Sequence, residues 1–222
     1  MLSCSNVGKT YATERGDIVA VRGIDLEVPS GQFAAIVGRS GSGKSSLMAM
    51  IGGLSRPSQG VVRVEGADIW ALPDDALAQF RNRKIGFVFQ FASLLPALRV
   101  IDNVALPALL GRRLDAGAAY TRAARLLARL GLAERLDAYP AEISAGQQRR
   151  AVIARALINA PSLLLADEPT SDLDERTEME IMDEFRTLNR DHAMTVIIVT
   201  HNLRLAEQAD RVFHIANGGL VK

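Results

Sequence analysis

A single cysteine, Cys4, stands in the 222-residue chain, so no intrachain disulfide can form and the composition suits a reducing compartment. Net charge is nearly absent as well. Lys and Arg number 26 and Asp and Glu 25, a formal charge of +1 at pH 7, which removes the electrostatic basis for nucleic acid as the main partner. No apolar run approaches the ~20 residues that a membrane-spanning helix needs. The longest candidate, Val104 to Leu110, is interrupted by Pro107. Leu2-Ser3-Cys4 has no apolar segment ahead of it in this sequence, so neither a lipoprotein cleavage site nor a secretory leader is expected. Internal repeats, low-complexity tracts and long linkers are missing too. What remains is a chain long enough for one sizeable core, or one core with a smaller lobe, expected in the cytosol with room for a membrane partner.

The stretch around which the rest is organised is Gly38-Arg39-Ser40-Gly41-Ser42-Gly43-Lys44-Ser45. It follows G-x-x-x-x-G-K-[ST], with a short apolar run, Phe33–Val37, before it and a helix-like stretch, Ser46–Ile51, after it. Its glycines let the backbone wrap tightly, so that successive N–H groups point inward at a triphosphate. A helix beginning near Lys44 adds the positive end of its dipole, about half an elementary charge. In that geometry Lys44 reaches the β- and γ-phosphates and the Ser45 hydroxyl holds Mg2+. By itself the loop implies only that a nucleoside triphosphate binds.

Elsewhere the chain alternates strands with helices. Residues 1–31 read as antiparallel strand, with Val19, Val21, Ile24, Leu26 and Val28 as its apolar positions and Pro29-Ser30-Gly31 as the turn out of it. Tyr11 lies in this lobe, either packing there or stacking on a nucleotide base. Val61–Val64 and Ile85–Phe89 read as strands, the second ending at Gln90, with a helix starting at Pro73-Asp74-Asp75 between them. From about Phe91 to Asn159 the apolar period is helical. Leu126, Leu127 and Leu130 form one stripe of a helix over Ala118–Leu130, Arg122, Arg125 and Arg129 its solvated face, and Gly131 its stop. Strands then return at Ser162–Ala166, Thr195–Thr200 and Val212–Ile215, with helices over Glu175–Asn189 and Asn202–Ala209 and a hairpin turn at Asn217-Gly218. That order predicts a mostly parallel sheet with helices on both faces.

Three further features carry chemistry. Leu163–Glu168 is an apolar strand delivering Asp167 and Glu168 at its C-terminal end, where α/β sheets bind ligands. One carboxylate can hold Mg2+, and the next can polarise a water for attack on a γ-phosphate. His201 directly follows the Thr195–Thr200 strand and so shares that sheet edge. Ile143-Ser144-Ala145-Gly146-Gln147-Gln148 precedes a helix over Arg149–Asn159, with Ser144 as N-cap and the N–H groups beyond it as a second anion site.

Taken together, these stretches resemble the ATP-binding subunit of ABC transporters, from about Leu2 to Lys222. Gly38–Ser45 matches Walker A, Leu163–Asp167 with Glu168 Walker B and its glutamate, and Ile143–Gln148 the signature usually written L-S-G-G-Q. Gln90 matches the Q-loop glutamine, Ser171-Asp172-Leu173-Asp174 the D-loop, His201 the switch histidine, and Tyr11 the base-stacking aromatic. Ile143 and Ala145 depart from the usual Leu and first Gly, while Ser144 and Gly146 are kept. The resemblance implies an α/β fold of P-loop NTPase (RecA-like) type: a mostly parallel sheet core with an antiparallel β subdomain and an inserted helical subdomain. It implies one ABC ATPase domain over 1–222, with 1–90 and 160–222 as core and β subdomain and about 91–159 as the helical subdomain.

For the site, the resemblance implies catalytic roles for Glu168 and His201. ATP binding falls to Tyr11, Gly38, Arg39, Ser40, Gly41, Ser42, Gly43, Lys44, Ser45, Ser46 and Gln90. Ser144, Gly146, Gln147 and Asp174 contact ATP across a dimer, and Ser45, Gln90 and Asp167 ligate Mg2+. The implied partners are a second copy, head to tail around ATP, and transmembrane permease subunits, with no nucleic acid. The implied location is the cytoplasmic face of the inner (cell) membrane, peripheral through the permease. A finer resemblance, to the lipoprotein-release and macrolide-exporter ATPases and the cell-division ATPase of similar type, rests on Ile36–Gly41, Ile51–Pro57, Ile85–Pro96 and Asp102–Pro107. It favours an export or extraction transporter over a regulatory ATPase that couples cytosol to membrane without transport. A soluble DNA-repair or ribosome-associated ABC ATPase ranks third, because it would carry a paired ATPase domain, coiled coil or zinc insert. The apolar turn Phe91–Pro96 either docks a permease helix or packs within the helical lobe.

Overall fold

The computed structural model describes residues 1–14, 16–91, 93–112 and 114–221; Ala92, inside the Phe91–Pro96 turn, and Lys222, the end of the resembling span, lie outside the described residues. In chain order the elements are β1 (Leu2–Tyr11), β2 (Ile18–Val28), β3 (Phe33–Val37), α1 (Lys44–Ile51), β4 (Gln59–Val64), β5 (Ala67–Asp68), α2 (Asp74–Lys84), β6 (Ile85–Val88), α3 (Val100–Leu110), α4 (Ala116–Arg129), α5 (Ala145–Leu157), β7 (Leu163–Asp167), α6 (Glu175–His192), β8 (Thr195–Thr200), α7 (Leu203–Ala206), β9 (Arg211–Ala216) and β10 (Gly219–Val221). They fall into two compact units, residues 1–78 with the chain from Phe185 onward, and residues 79–184.

The first unit holds an antiparallel sheet in the order β2-β1-β4-β5 and the run β10-β9-β3-β8. In the antiparallel sheet the apolar positions alternate, and Leu2, Cys4, Val21, Ile24, Leu26 and Val28 turn inward. Burial, with Asp25 nearby, pushes the Cys4 thiol up to about 12, so it stays neutral. All five residues of β3 and all six of β8 are buried, the pattern of strands covered on both faces. β3 pairs parallel with β8 and β9. Its start is fixed by Phe33 N donating to Asp210 Oδ2 at 2.8 Å and Gly31 N donating to Thr195 Oγ1 at 2.9 Å. The β9–β10 turn uses Asn217 and Gly218 at φ 50° and 80°, the left-handed pair an Asn-Gly hairpin requires.

In the second unit β6 and β7 pair parallel, from Ile85 opposite Leu163 to Val88 opposite Ala166. β6 stops one residue short of expectation: Phe89 leaves the strand and stacks on Phe87, ring centroids 5.3 Å apart. Along α4 two of the three stripe leucines are buried, Leu127 and Leu130, with Leu126 half-buried, and Ala119 and Ala123 extend the same buried face. Gly131, at φ 73°, ends it as expected. α7 is likewise shorter than Asn202–Ala209.

A fully buried asparagine fixes the turn before α3. Asn103 Oδ1 accepts from Leu95 N at 2.7 Å, and its Nδ2 donates to the carbonyls of Leu95, Leu98 and Arg99, each at 3.1 Å. Arg99 donates to Asp102 and Asp137, and Tyr120 OH donates to Asp102 Oδ1 at 2.9 Å. The hydrogen bond from Arg99 leads the causes that hold the Asp102 carboxyl below its ordinary range. Asn103→Leu would leave buried backbone groups unpaired and should lower unfolding free energy by about 2–4 kcal/mol. Urea titration checks this; a loss below about 1 kcal/mol would mean that the turn is held by other contacts.

Candidate functional site

In the first unit the chain leaves β3 at Val37 and enters α1 at Lys44, and the turn between is shaped from outside. A Cβ on Gly38 would stand 2.2 Å from the Ile215 carbonyl oxygen. One on Gly43, whose φ is 103°, would stand 2.3 Å from that of Ala20. Gly218 N donates to Ser42 O at 3.1 Å, bracing the loop with the β9–β10 turn. Inside the curl lies Lys44, 7% exposed, its Nζ donating to Gly38 O at 2.7 Å and Arg39 O at 3.1 Å. Ser42 is also buried, and among the described residues its Oγ has no hydrogen-bond partner. A buried hydroxyl left unmade costs about 1–3 kcal/mol, and an anion in the loop would satisfy it. The phosphate-binding expectation for Gly38–Ser45 thus meets a loop with an internal ammonium, a helix start and an orphaned donor.

Tyr11 is 40% exposed, and its hydroxyl lies 3.3 Å from Ser46 Oγ in the first turn of α1. Lys9 Nζ sits 5.0 Å from its ring centroid. With that exposure the ring is not part of the buried core. The register Val37 opposite Thr200 brings His201 to the same sheet edge as Gly38. Asn202, next in the chain, caps α7 through Arg204 N.

The second unit gathers the other predicted residues at its own strand ends. Val88 pairs with Ala166, so Gln90 and Glu168, two residues on from each, leave one edge together with Asp167. Glu168 has φ 44°, a left-handed conformation that costs a non-glycine residue on the order of 1 kcal/mol. Asp174 caps α6: its carboxylate accepts from Thr177 N at 3.0 Å and Thr177 Oγ1 at 2.8 Å. Those bonds, the backbone one first, hold its pKa below the ordinary carboxylate range.

At the start of α5, Ser144 Oγ accepts from Gln147 N at 3.3 Å and Ser144 N donates to Gln147 Oε1 at 3.0 Å. Both side chains therefore form a reciprocal cap. A Cβ on Gly146 would lie 2.8 Å from Thr177 Cγ2, so a side chain there would force the start of α6 away. The Ala145 methyl is exposed, which is why the departure from glycine is accommodated locally.

Sequence reasoning missed two arginines of α5. Arg149 donates from both terminal nitrogens to the carbonyls of Phe89 and Gln90, and Arg155 donates to Ser93. No side-chain pattern announced them, because their partners are chiefly main-chain carbonyls. Among the described residues no group of three or more His, Cys, Asp or Glu is arranged to hold a metal alone.

A family model described as ABC transporter matches residues 21–171. The lipoprotein-releasing system ATP-binding protein LolD of Pseudomonas fluorescens is 44% identical over 221 residues, covering 100% of this chain and 97% of its own. The macrolide export ATP-binding/permease protein MacB of Syntrophobacter fumaroxidans is 44% identical over 219 residues, covering 98% of this chain but 31% of that protein. A solved dimeric ATP-binding cassette in a post-hydrolysis state, bound to ADP and Pi, superposes with a TM-score of 0.93 at 36% identity, over 100% of this chain and 97% of that one. Gly43→Ala should weaken binding of a fluorescent ATP analogue about tenfold or more, since the added methyl must displace the Ala20 backbone that braces the loop. Unchanged affinity would show that the loop does not need that shape.

Proposed function

The chain belongs to the ABC transporter family, and from that premise we propose that it is the ATP-binding and hydrolysing subunit of a membrane transporter of exporter or lipoprotein-extraction type. Its fold is the mixed α/β fold of P-loop NTPases, and it is an ATPase. The observation that carries the reading is the loop around Lys44, with the buried Ser42 hydroxyl lacking a partner among the described residues.

In this reading the loop N–H groups and Lys44 hold the β- and γ-phosphates, and Tyr11 stacks on the base. Ser45, Gln90 and Asp167 would hold Mg2+, which would supply positive charge to the phosphate oxygens. Glu168 accepts a proton from water as its oxygen bonds to the γ-phosphorus. The bond to the β-phosphate oxygen breaks, and ADP and phosphate leave. His201 contacts the γ-phosphate and steadies its charge. The start of α5 from a second copy, with Ser144 and Gly146, covers the same phosphate from the other side, helped by Gln147 and Asp174. One cradle holds a triphosphate from one side only, which gives the pair its reason to close on ATP and open after hydrolysis. The dimeric state of the related cassette supports this arrangement.

Among the described residues no helix is long and apolar enough to cross a membrane. Attachment to a permease at the cytoplasmic face of the membrane is supported by LolD, named for a lipoprotein-releasing system, and by MacB, whose name joins ATP binding to a permease. The turn after Gln90 offers a dock: Leu94 packs inward, while Phe91 is 73% exposed and Leu95 stays out with it.

Glu168→Gln should lower ATP turnover at least ~100-fold while ATP binding persists, because the amide cannot take the proton. Retained turnover would remove Glu168 from that role. Affinity purification of the tagged chain from detergent-solubilised membranes, followed by mass spectrometry, tests the transporter reading. A co-purifying permease is the expected result; only soluble partners across several detergents would overturn it.

A further inference from the structure

Helix α5 buries Arg149 and half-buries Arg155, and the reaction itself has no use for either. Arg149 is 3% exposed, its Nε has no hydrogen-bond partner, and no ion pair holds it among the described residues. Burial pushes its guanidinium below the ordinary arginine value, and Asp172 only partly opposes this. A buried cation without a bonded carboxylate is unfavourable unless its hydrogen bonds compensate. Here they go to the main chain. Nη1 donates to Phe89 O and Nη2 to Gln90 O, both at 2.6 Å. One side chain thereby grips two successive peptide carbonyls, which suits the rigid fork of arginine and not the point charge of lysine. Six residues on, Arg155 donates from Nη1 to Ser93 O and from Nη2 to Ser93 Oγ, both at 2.8 Å, while Ser93 holds a left-handed φ of 42°. The segment that follows β6 is thus fastened at both ends to the helix whose first turn carries Ser144 and Gly146.

We propose that Arg149 is a positioning residue that ties the main chain at Phe89 and Gln90 to α5, so that the Gln90 side chain and the Ser144–Gly146 turn move as one piece. Arg155 fixes the far end of the same segment. Loss of the γ-phosphate contact at the start of α5 is then transmitted to Gln90 through main chain and guanidinium, without a change in nucleotide affinity at the phosphate loop. The inference rests on the reading of Gln90 as a Mg2+ ligand.

The test uses the full chain as Arg149→Met, Arg149→Lys, Gln90→Ala and the double variant Arg149→Met with Gln90→Ala. Hydrogen–deuterium exchange over residues 85–95 reads the tie directly, and the Mg2+ concentration for half-maximal ATPase reads its consequence. Both Arg149 variants should speed exchange of the segment about tenfold. They should also raise the half-maximal Mg2+ about fivefold, while ATP affinity in EDTA stays within about twofold. On the Gln90→Ala background, Arg149→Met should add less than about twofold, as residues acting through one another do. A merely structural lesion lowers the active fraction and leaves half-maximal Mg2+ where it was. Unchanged exchange in the variants overturns the tie, and an additive double variant overturns action through Gln90. If Gln90→Ala alone leaves the Mg2+ response unaltered, the Mg2+ reading of Gln90 fails, and the exchange result still decides the tie. If Arg149→Met does not fold, Arg149→Lys, which keeps the charge but not the fork, carries the comparison.

Discussion

A loop whose proposed role is to keep its interior open for phosphate cannot be held in shape by packing inward, so its support has to come from the other side. Three backbone approaches supply it. Gly38 runs against the Ile215 carbonyl, Gly43 against that of Ala20, and the Ser42 carbonyl accepts from Gly218 N. Each partner comes from a different strand or turn: β9, β2 and the β9–β10 hairpin. The left-handed Asn217-Gly218 turn, which looks like a detail of the last strands, is therefore part of the phosphate loop's scaffold. So is the parallel pairing of β3 with β9, which brings Ile215 to that point. The Lys44 ammonium completes the arrangement from within, tied to the loop's first two carbonyls.

The second unit solves a similar problem at a helix start. A helix N-terminus that is to meet an anion must leave its first N–H groups accessible, yet an uncapped start frays. Here Ser144 and Gln147 cap each other, which fixes the first turn, and Gly146 faces Thr177 where no side chain fits. That contact, together with Asp174 capping α6 through the same Thr177, links the first turns of α5 and α6. Arg149 and Arg155 link the rest of α5 to the segment after β6. The unit's candidate site residues are thus bound to one another chiefly through main-chain partners.

That dependence on main chain decides what could be read from the sequence. The phosphate loop, the strands around it and the cap at Ser144 follow local rules, and all were legible. The buried strands β3 and β8 were legible because an unbroken apolar run can do little else. The stripe of α4 was legible in Leu127 and Leu130 but not in Ala119 and Ala123, because alanine is small and marks a buried face only weakly. Asn103 and Arg149 were illegible for another reason. Their partners are carbonyl oxygens, which every residue has, so no side-chain pattern announces them.

Glu168 shows how far backbone geometry alone can carry a functional argument. It shares its left-handed conformation with Glu65, at φ 44° and 52°. For Glu65 the turn explains the conformation. It precedes Gly66 in the tight β4–β5 connection, where two successive residues take positive φ, and the position is exposed. Glu168 opens its turn rather than sitting at the turn's centre. It follows the buried strand β7, and its own carbonyl accepts from Ser171 N at 3.3 Å in the bend toward α6. Glycine would relieve the strain by roughly 1 kcal/mol but would remove the carboxylate. A glutamate where glycine would fold more easily, two residues beyond the strand pair that also leads to Gln90, fits the role proposed for its side chain. The strain by itself would not distinguish this residue from Glu65; strain together with that address does.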